Sequence, residues 1–290
     1  MALTSIQLSI QGINCPVLQG GNNKSEEAIV FIHGFPGSAN HWQPFMENLA
    51  KYSRVIALNM PGFGDADKPK NFNYTIDTYL PILTSLFDKM GITKIHFLLH
   101  DFGGAWGLTW AANNIEKVKS FNLINTGLFL AQWHSLAKLY RTPILGELFS
   151  LLPPTQQAFN FMISAGGANR LSKENFVELK NQMDYGTRRA MMKLYRSTDA
   201  GDDRHEDIAT LFSQHNFPTL IIWGEDDPYL PIELAQQQLK AFPRAQIHTL
   251  KECGHWPYFE KPQEVNTLLM NFYQTVFSNE KESLLNQTTL

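Results

Sequence analysis

The chain is short of the features that usually betray a function at first reading. It has only two cysteines, Cys15 and Cys253, far apart and without metal-ligand spacing, so neither a disulfide framework nor a cysteine-built metal site is expected. No apolar run approaches the ~20 residues that cross a bilayer. The opening "MALTSIQLSI" carries no basic start leading into an apolar stretch, so the expected setting is the cytoplasm, with reduced thiols and no membrane contact. Net charge is also scarce, at −3 with 24 basic and 27 acidic residues. That balance offers no footprint for nucleic acid. No G-x-S-x-G occurs anywhere, which removes the serine elbow of esterases. Internal repeats and low-complexity tracts are missing too.

Apolar and aromatic residues are plentiful, at 43% and 12% with 20 phenylalanines. They supply a sizeable core and the lining of an apolar pocket, so the expected partners are a small hydrophobic substrate and water. Six short apolar runs fall at 28–33, 54–60, 94–100, 118–125, 219–224 and 245–250. Helical patterns separate most of them, as βαβ crossovers between buried parallel strands would. "SIQLSI" and "CPVLQG" alternate apolar with polar and predict an antiparallel edge hairpin, giving about eight strands in an α/β fold. Between Asn125 and Phe217 lie roughly ninety residues without a strand but with helical stretches, too long for a plain connection. The expected organisation is a core of 1–125 and 216–280, a helical cap over 126–215, and a frayed tail from 281 to 290. The stretch "KPQEVNTLLMNFYQTVF" predicts a closing helix on the sheet.

Three chemical groups fall at three predicted strand ends. In "LLHDFGGAWG", Asp101 sits where a buried strand turns into a helix, with Gly103 and Gly104 permitting a tight backbone. Such a turn presents one side chain at the carboxyl edge of the sheet, although an aspartate there also has the simpler option of capping the helix. In "LKECGHWPYFEKP", His255 follows the last strand, and in "LIIWGEDDPYLP" Asp227 follows the one before, with Asp226 as the second choice. Nucleophile, acid and histidine in that order match an α/β-hydrolase triad. Gly34 and Pro36 in "FIHGFPGSANHW" form a turn whose Phe35 N–H can point toward Asp101. Together with the Phe102 N–H it would make a two-donor oxyanion hole.

These segments resemble the α/β-hydrolase superfamily over essentially the whole core. "HDFGG" is similar to the H-D-W-G-G elbow of epoxide hydrolases and haloalkane dehalogenases, and "HGFP" and "ECGHWPYFEKPQEVN" resemble epoxide-hydrolase segments. The resemblance implies an eight-stranded, mostly parallel sheet with an inserted helical cap. It also implies an aspartate nucleophile, Asp101, forming an alkyl ester that His255 and Asp227 help water to hydrolyse, with no metal or organic cofactor. Epoxide hydrolases place two cap tyrosines on the epoxide oxygen, and "KLYRS" offers Tyr195, followed by Arg196. The first tyrosine has no match: Phe161 stands near its place, leaving Tyr140, Tyr185 or His134 as substitutes. Phe102 replaces the tryptophan whose indole N–H holds the halide in dehalogenases, a role only a cap residue such as Trp133 could take over. Leu99 resembles dehalogenases more than epoxide hydrolases. Trp133 and Trp256 are expected in the pocket. The leading expectation is conversion of a hydrophobic epoxide to a diol. Haloalkane dehalogenation, a non-catalytic homologue and a cofactor-free oxygenase are the alternatives.

Overall fold

The computed structural model describes residues 2–129, 134–152, 155, 157, 159, 171–198 and 204–288, with backbone alone from 280 onward. Eight strands build one sheet: β1 (Thr4–Ile10), β2 (Ile13–Gly20), β3 (Glu27–Ile32), β4 (Arg54–Leu58), β5 (Lys94–His100), β6 (Val118–Ile124), β7 (Thr219–Gly224) and β8 (Gln246–Leu250). Their order is β1-β2-β4-β3-β5-β6-β7-β8. The β1–β2 and β2–β4 pairs are antiparallel and all the others parallel. The two edge strands show why the sequence reads as it does. β1 and β8 keep exposed positions, whereas β4 and β7 are buried at every residue, as strands covered on both faces must be.

Around the sheet run α1 (Gln43–Leu49), α2 (Ile76–Met90) and α3 (Phe102–Ala112). The inserted region supplies α4 (Ser135–Arg141), α5 (Leu145–Leu151), α6 (Lys173–Asn181), α7 (Tyr185–Ser197) and α8 (Arg204–Ser213). The chain closes with α9 (Glu233–Gln237), α10 (Pro257–Glu260) and α11 (Pro262–Thr288). Neighbours on β5 divide the layers. His96 packs on Tyr273 and Phe277 of α11, while Phe97 packs on Phe87 of α2 and Trp110 of α3. Successive strand residues point to opposite faces, so these helices cover opposite sides of the sheet. None of the described helices is long and apolar enough to cross a membrane.

Within the insertion, α4, α5 and α7 pack on one another, with the Tyr140 and Tyr195 rings stacked between α4 and α7. This cluster is tied to the core by α7: Arg189 donates to the Lys68 carbonyl at 2.6 Å, Lys193 to Lys70 at 2.8 Å, and the Ser197 hydroxyl to Tyr74 at 2.8 Å. Helix α8 behaves differently. Its Phe212 packs on Phe121 and Phe242, and the helix contacts α3, so this end of the 126–215 segment belongs by contact with the core. The tail also departs from expectation: the closing helix runs to Thr288 where fraying was expected. Its Pro262 suits a first helical turn, and from there to the end the sequence offers no further proline and no glycine to stop it.

Candidate active site

The β5–α3 junction turns sharply at Asp101, whose φ of 48° and ψ of −124° lie outside the ordinary regions for a non-glycine residue. The turn is over-determined by its neighbours. The Thr126 hydroxyl donates to the Asp101 carbonyl at 2.6 Å, and so does the Gly104 amide at 2.9 Å. A Cβ at Gly103 would stand 2.3 Å from the Ile32 carbonyl oxygen, so the first turn of α3 lies directly on β3. The helix-capping alternative is ruled out here, because the Asp101 carboxylate makes no capping bond to α3.

Instead the carboxylate faces two other segments. Its Oδ2 accepts the Phe35 N–H at 3.3 Å and lies 3.5 Å from His255 Nε2. The 33–37 loop can come that close only through Gly34, where a Cβ would sit 2.3 Å from the Asp101 Cβ. His33 holds the loop: its Nε2 accepts the Met60 N–H at 3.1 Å, so its proton is on Nδ1 and is donated to the Gly34 carbonyl at 2.8 Å. Gly34→Ala is therefore expected to separate loop and elbow. It should cost about 1–3 kcal/mol, the scale of overpacking a filled site, as read by urea unfolding. The Phe102 N–H is the first of α3 and has no acceptor within the helix, so it lies at the same helix terminus.

His255, almost wholly buried, follows β8. Its Nδ1 is 2.7 Å from Asp227 Oδ2. Asp227 is fixed from both ends: Oδ1 accepts the Tyr229 and Leu230 amides at 2.8 and 3.0 Å, while Oδ2 accepts the Asn125 amide at 2.6 Å as well as the imidazole. Asp226 and Glu225 are exposed, which decides between the two aspartates of that loop. Asp101, His255 and Asp227 thus form one line across the ends of β5, β8 and β7, hydrogen-bonded between His255 and Asp227 and in ion-pair contact between His255 and Asp101.

Electrostatics follow from this line. Burial pushes the His255 imidazole down, but the Asp227 charge and the imidazole's hydrogen bonds to both carboxylates overcome it and raise its pKa from 6.5 to about 10. Burial likewise pushes Asp101 and Asp227 up, and the facing imidazole more than reverses it, holding both below the ordinary 3.8. The substrate-free site therefore holds an imidazolium between two carboxylates. Because the folded value exceeds the ordinary one, this protonation stabilises the fold fully below pH 6.5, and the contribution fades as pH rises through about 10. A ¹⁵N-imidazole titration should place the His255 midpoint near 10 in the parent, and lower in Asp101→Asn.

Other residues crowd this line. His100, buried beside the elbow, donates from Nε2 to the His255 carbonyl at 2.8 Å, and burial lowers its pKa to about 3, so it stays neutral. Tyr195 of α7 sets its ring edge-on to Phe102. Its hydroxyl lies 3.0 Å from His134 Nε2, while His134 Nδ1 accepts the Ala137 N–H at 3.3 Å. The His134 proton therefore sits on Nε2 and is donated to Tyr195, leaving the tyrosine O–H to donate elsewhere. Burial, then the Asp101 charge, keeps Tyr195 protonated well past its ordinary range. Tyr229 stands edge-on to both His255 and His134.

Several expected residues are placed otherwise. Trp256 is fully buried, edge-on to His255 and Tyr229. Tyr140 is buried with its hydroxyl unpartnered among the described residues, and Tyr185 is largely exposed, so of the three substitutes only His134 bonds Tyr195. Leu99 is buried against Gly107, where a Cβ would be 2.6 Å from it, so its bulk reflects packing. Trp133 and Phe161 lie outside the described residues. Sequence reading gave no role to Asn125, His100 or Tyr229. The available signal was a polar residue at the end of an apolar run, twice, and an aromatic two residues after the acid.

Residues 27–262 match the family model of the alpha/beta hydrolase fold. The chain belongs to that family. A curated hydrolase of Escherichia coli, named 2-hydroxy-6-oxononadienedioate/2-hydroxy-6-oxononatrienedioate hydrolase, is 27% identical over 86% of this chain and 88% of its own. Among solved structures, a mutant epoxide hydrolase from Bacillus megaterium superposes with a TM-score of 0.76 at 22% identity, covering 93% of this chain and 100% of that one. The haloalkane dehalogenase DatA from Agrobacterium tumefaciens does so with 0.78 at 19%, covering 95% and 97%. At these identities the structural likenesses speak for the α/β-hydrolase fold, and the chemistry of this α/β hydrolase rests on its own residues.

Proposed function

We propose that this α/β hydrolase converts a hydrophobic epoxide to a diol through an ester between Asp101 and a substrate carbon, beneath a cap to which α4, α5 and α7 contribute. The observation that supports it most is the carboxylate at the elbow, 3.5 Å from an imidazole that is itself held by Asp227. An ionised carboxylate is a nucleophile without help from a base, so the histidine is reserved for the second step.

In the first step an Asp101 oxygen bonds to the epoxide carbon as the C–O bond breaks, and the electron pair passes to the departing oxygen. Tyr195, which burial and the Asp101 charge keep protonated, donates to that oxygen and supplies its proton, which is then restored from solvent. The ester carries no charge, so His255 loses one of the two carboxylates that hold its proton, releases the Nε2 proton to solvent and becomes available as a base. It then takes a proton from water, the hydroxide adds to the ester carbon, and the Phe35 and Phe102 amides hold the resulting oxyanion. Collapse returns the proton from His255 to the departing diol and leaves Asp101 as the acid, whose proton then passes to His255 and restores the carboxylate and imidazolium.

The choice of an oxygen leaving group over a halide rests on Phe102, a phenyl ring without a donor, set edge-on to Tyr195, whose hydroxyl accepts from His134. Styrene-type epoxides and bromoalkanes assayed side by side test it. Diol should form from the former, and halide release without diol would overturn the reading. Tyr195→Phe should lower kcat/KM for epoxides by ~10²–10³-fold, the usual effect of removing one preorganised donor, with unchanged circular dichroism.

A further inference from the structure

Asn125 lies one residue beyond β6, fully buried, with φ at 42°. Its amide is used at both ends. Oδ1 accepts the Gly224 N–H at 3.1 Å, and Nδ2 donates to Asp227 Oδ2 at 2.6 Å and to the Gly254 carbonyl at 3.4 Å. One side chain thereby ties the end of β6 to the end of β7, to the acid, and to the residue preceding His255.

The polarity of these bonds matters as much as their number. Asp227 Oδ1 is committed to the Tyr229 and Leu230 amides. Only Oδ2 remains to hold His255 Nδ1, and Asn125 is the other donor on that same oxygen. We infer that Asn125 is a positioning residue for the base: it fixes the carboxylate oxygen that keeps the His255 proton on Nδ1, and so leaves Nε2 free to take a proton from water. It touches neither substrate nor reacting atoms. This inference rests on the ester scheme above for its kinetic form, since attack by Asp101 needs no base and hydrolysis of the ester does. Loss of Asn125 should therefore appear in the second half-reaction and not the first.

Asn125→Asp is the discriminating variant. Aspartate tolerates the left-handed backbone that would strain an alanine, and its chemistry changes with pH. Protonated, its O–H donates to Asp227 Oδ2 while its carbonyl accepts from Gly224, which reproduces the asparagine. Ionised, it sets acceptor against acceptor and adds a second negative charge beside Asp227, so the pair gives up its last proton only at raised pH.

Single-turnover experiments with a styrene-type epoxide separate the two steps. Alkylation of Asp101, followed by intact-protein mass, should stay within about threefold of the parent at every pH, a span far below the effect of a lost general base. Ester hydrolysis should match the parent at low pH and fall by ten-fold or more as the new carboxyl ionises, with the alkyl-enzyme accumulating there. In substrate-free protein, the downfield Nδ1–H resonance of His255 should shift as that same carboxyl ionises, with a lower midpoint because the imidazolium stands beside it. Equal slowing of both steps, or hydrolysis parallel to the parent at every pH with an unmoved resonance, would reduce Asn125 to a structural tie and overturn the inference. The two failures are separable. If the resonance moves as stated but no epoxide ever yields an ester, the Asn125 inference stands and the epoxide reading falls.

Discussion

His255→Gln should halt turnover while leaving the protein able to alkylate itself. Glutamine cannot accept a proton from water, so hydrolysis of the ester loses its base and slows by ~10²–10⁴-fold, the usual range for a positioned general base. Asp101 attack is hit far less, because an ionised carboxylate needs no deprotonation, although removing the imidazolium leaves chiefly the Phe35 N–H and His100 to oppose the upward push of burial on the Asp101 pKa. The experiment therefore belongs above neutral pH, where the carboxylate stays charged. Intact-protein mass spectrometry after incubation with a styrene-type epoxide should show one added substrate, mapped by proteolysis to the peptide holding Asp101. Asp101→Ala should show none. A His255→Gln protein turning over at the parental rate would remove the two-step scheme altogether.

The second large effect is expected from Asp227→Asn, for a reason visible in the hydrogen bonds. The Tyr229 and Leu230 amides claim the oxygen at the Oδ1 position. The new amide nitrogen is then forced into the Oδ2 position, facing donors from His255 Nδ1 and Asn125 Nδ2. To relieve this, the imidazole must move its proton to Nε2, where it points at Asp101 and cannot accept from water. The equivalent carboxylate-to-amide change in a serine protease triad lowers kcat by ~10⁴, and a loss of about that order is expected here. Stability should fall as well, by about 1–3 kcal/mol for a buried donor left unpaired against Asn125. Stopped-flow hydrolysis of the preformed ester and urea unfolding read the two consequences. Because the Asp227 charge is the largest influence holding the His255 pKa up at about 10, the imidazole should also titrate lower in this variant.

Both predictions depend on residues that announced themselves in the sequence to different degrees. Asp101 was legible because its strand is an unbroken apolar run and its helix opens with two glycines, a local pattern. His255 and Asp227 were legible by order along the chain and by their places after β8 and β7. The choice of Asp227 over Asp226 needed burial, which separates neighbours that composition treats alike. The extent of the cap was only partly legible. Helical periodicity shows that α4 to α8 are helices but not which surface each one covers, and the contacts of α8 with α3 and with Phe121 and Phe242 were not legible in it. Trp256 read as a pocket residue because it follows the histidine; its burial edge-on against that histidine was not legible.

Taken alone, the sequence determined the alternation of strands and helices, the edge hairpin, the elbow and the set of ionisable groups at the strand ends. Periodicity and turn chemistry act over a few residues, so they leave their mark in the chain itself. Only the tertiary structure decided which hydrogen-bond donor meets which acceptor. Asn125 and Asp227 lie 102 positions apart, and His134 and Tyr195 lie 61 apart. A single amide reads the same whether it faces solvent or completes a buried carboxylate. What distinguishes those two fates is a matter of ångströms and angles that arise only when the strand ends are brought together.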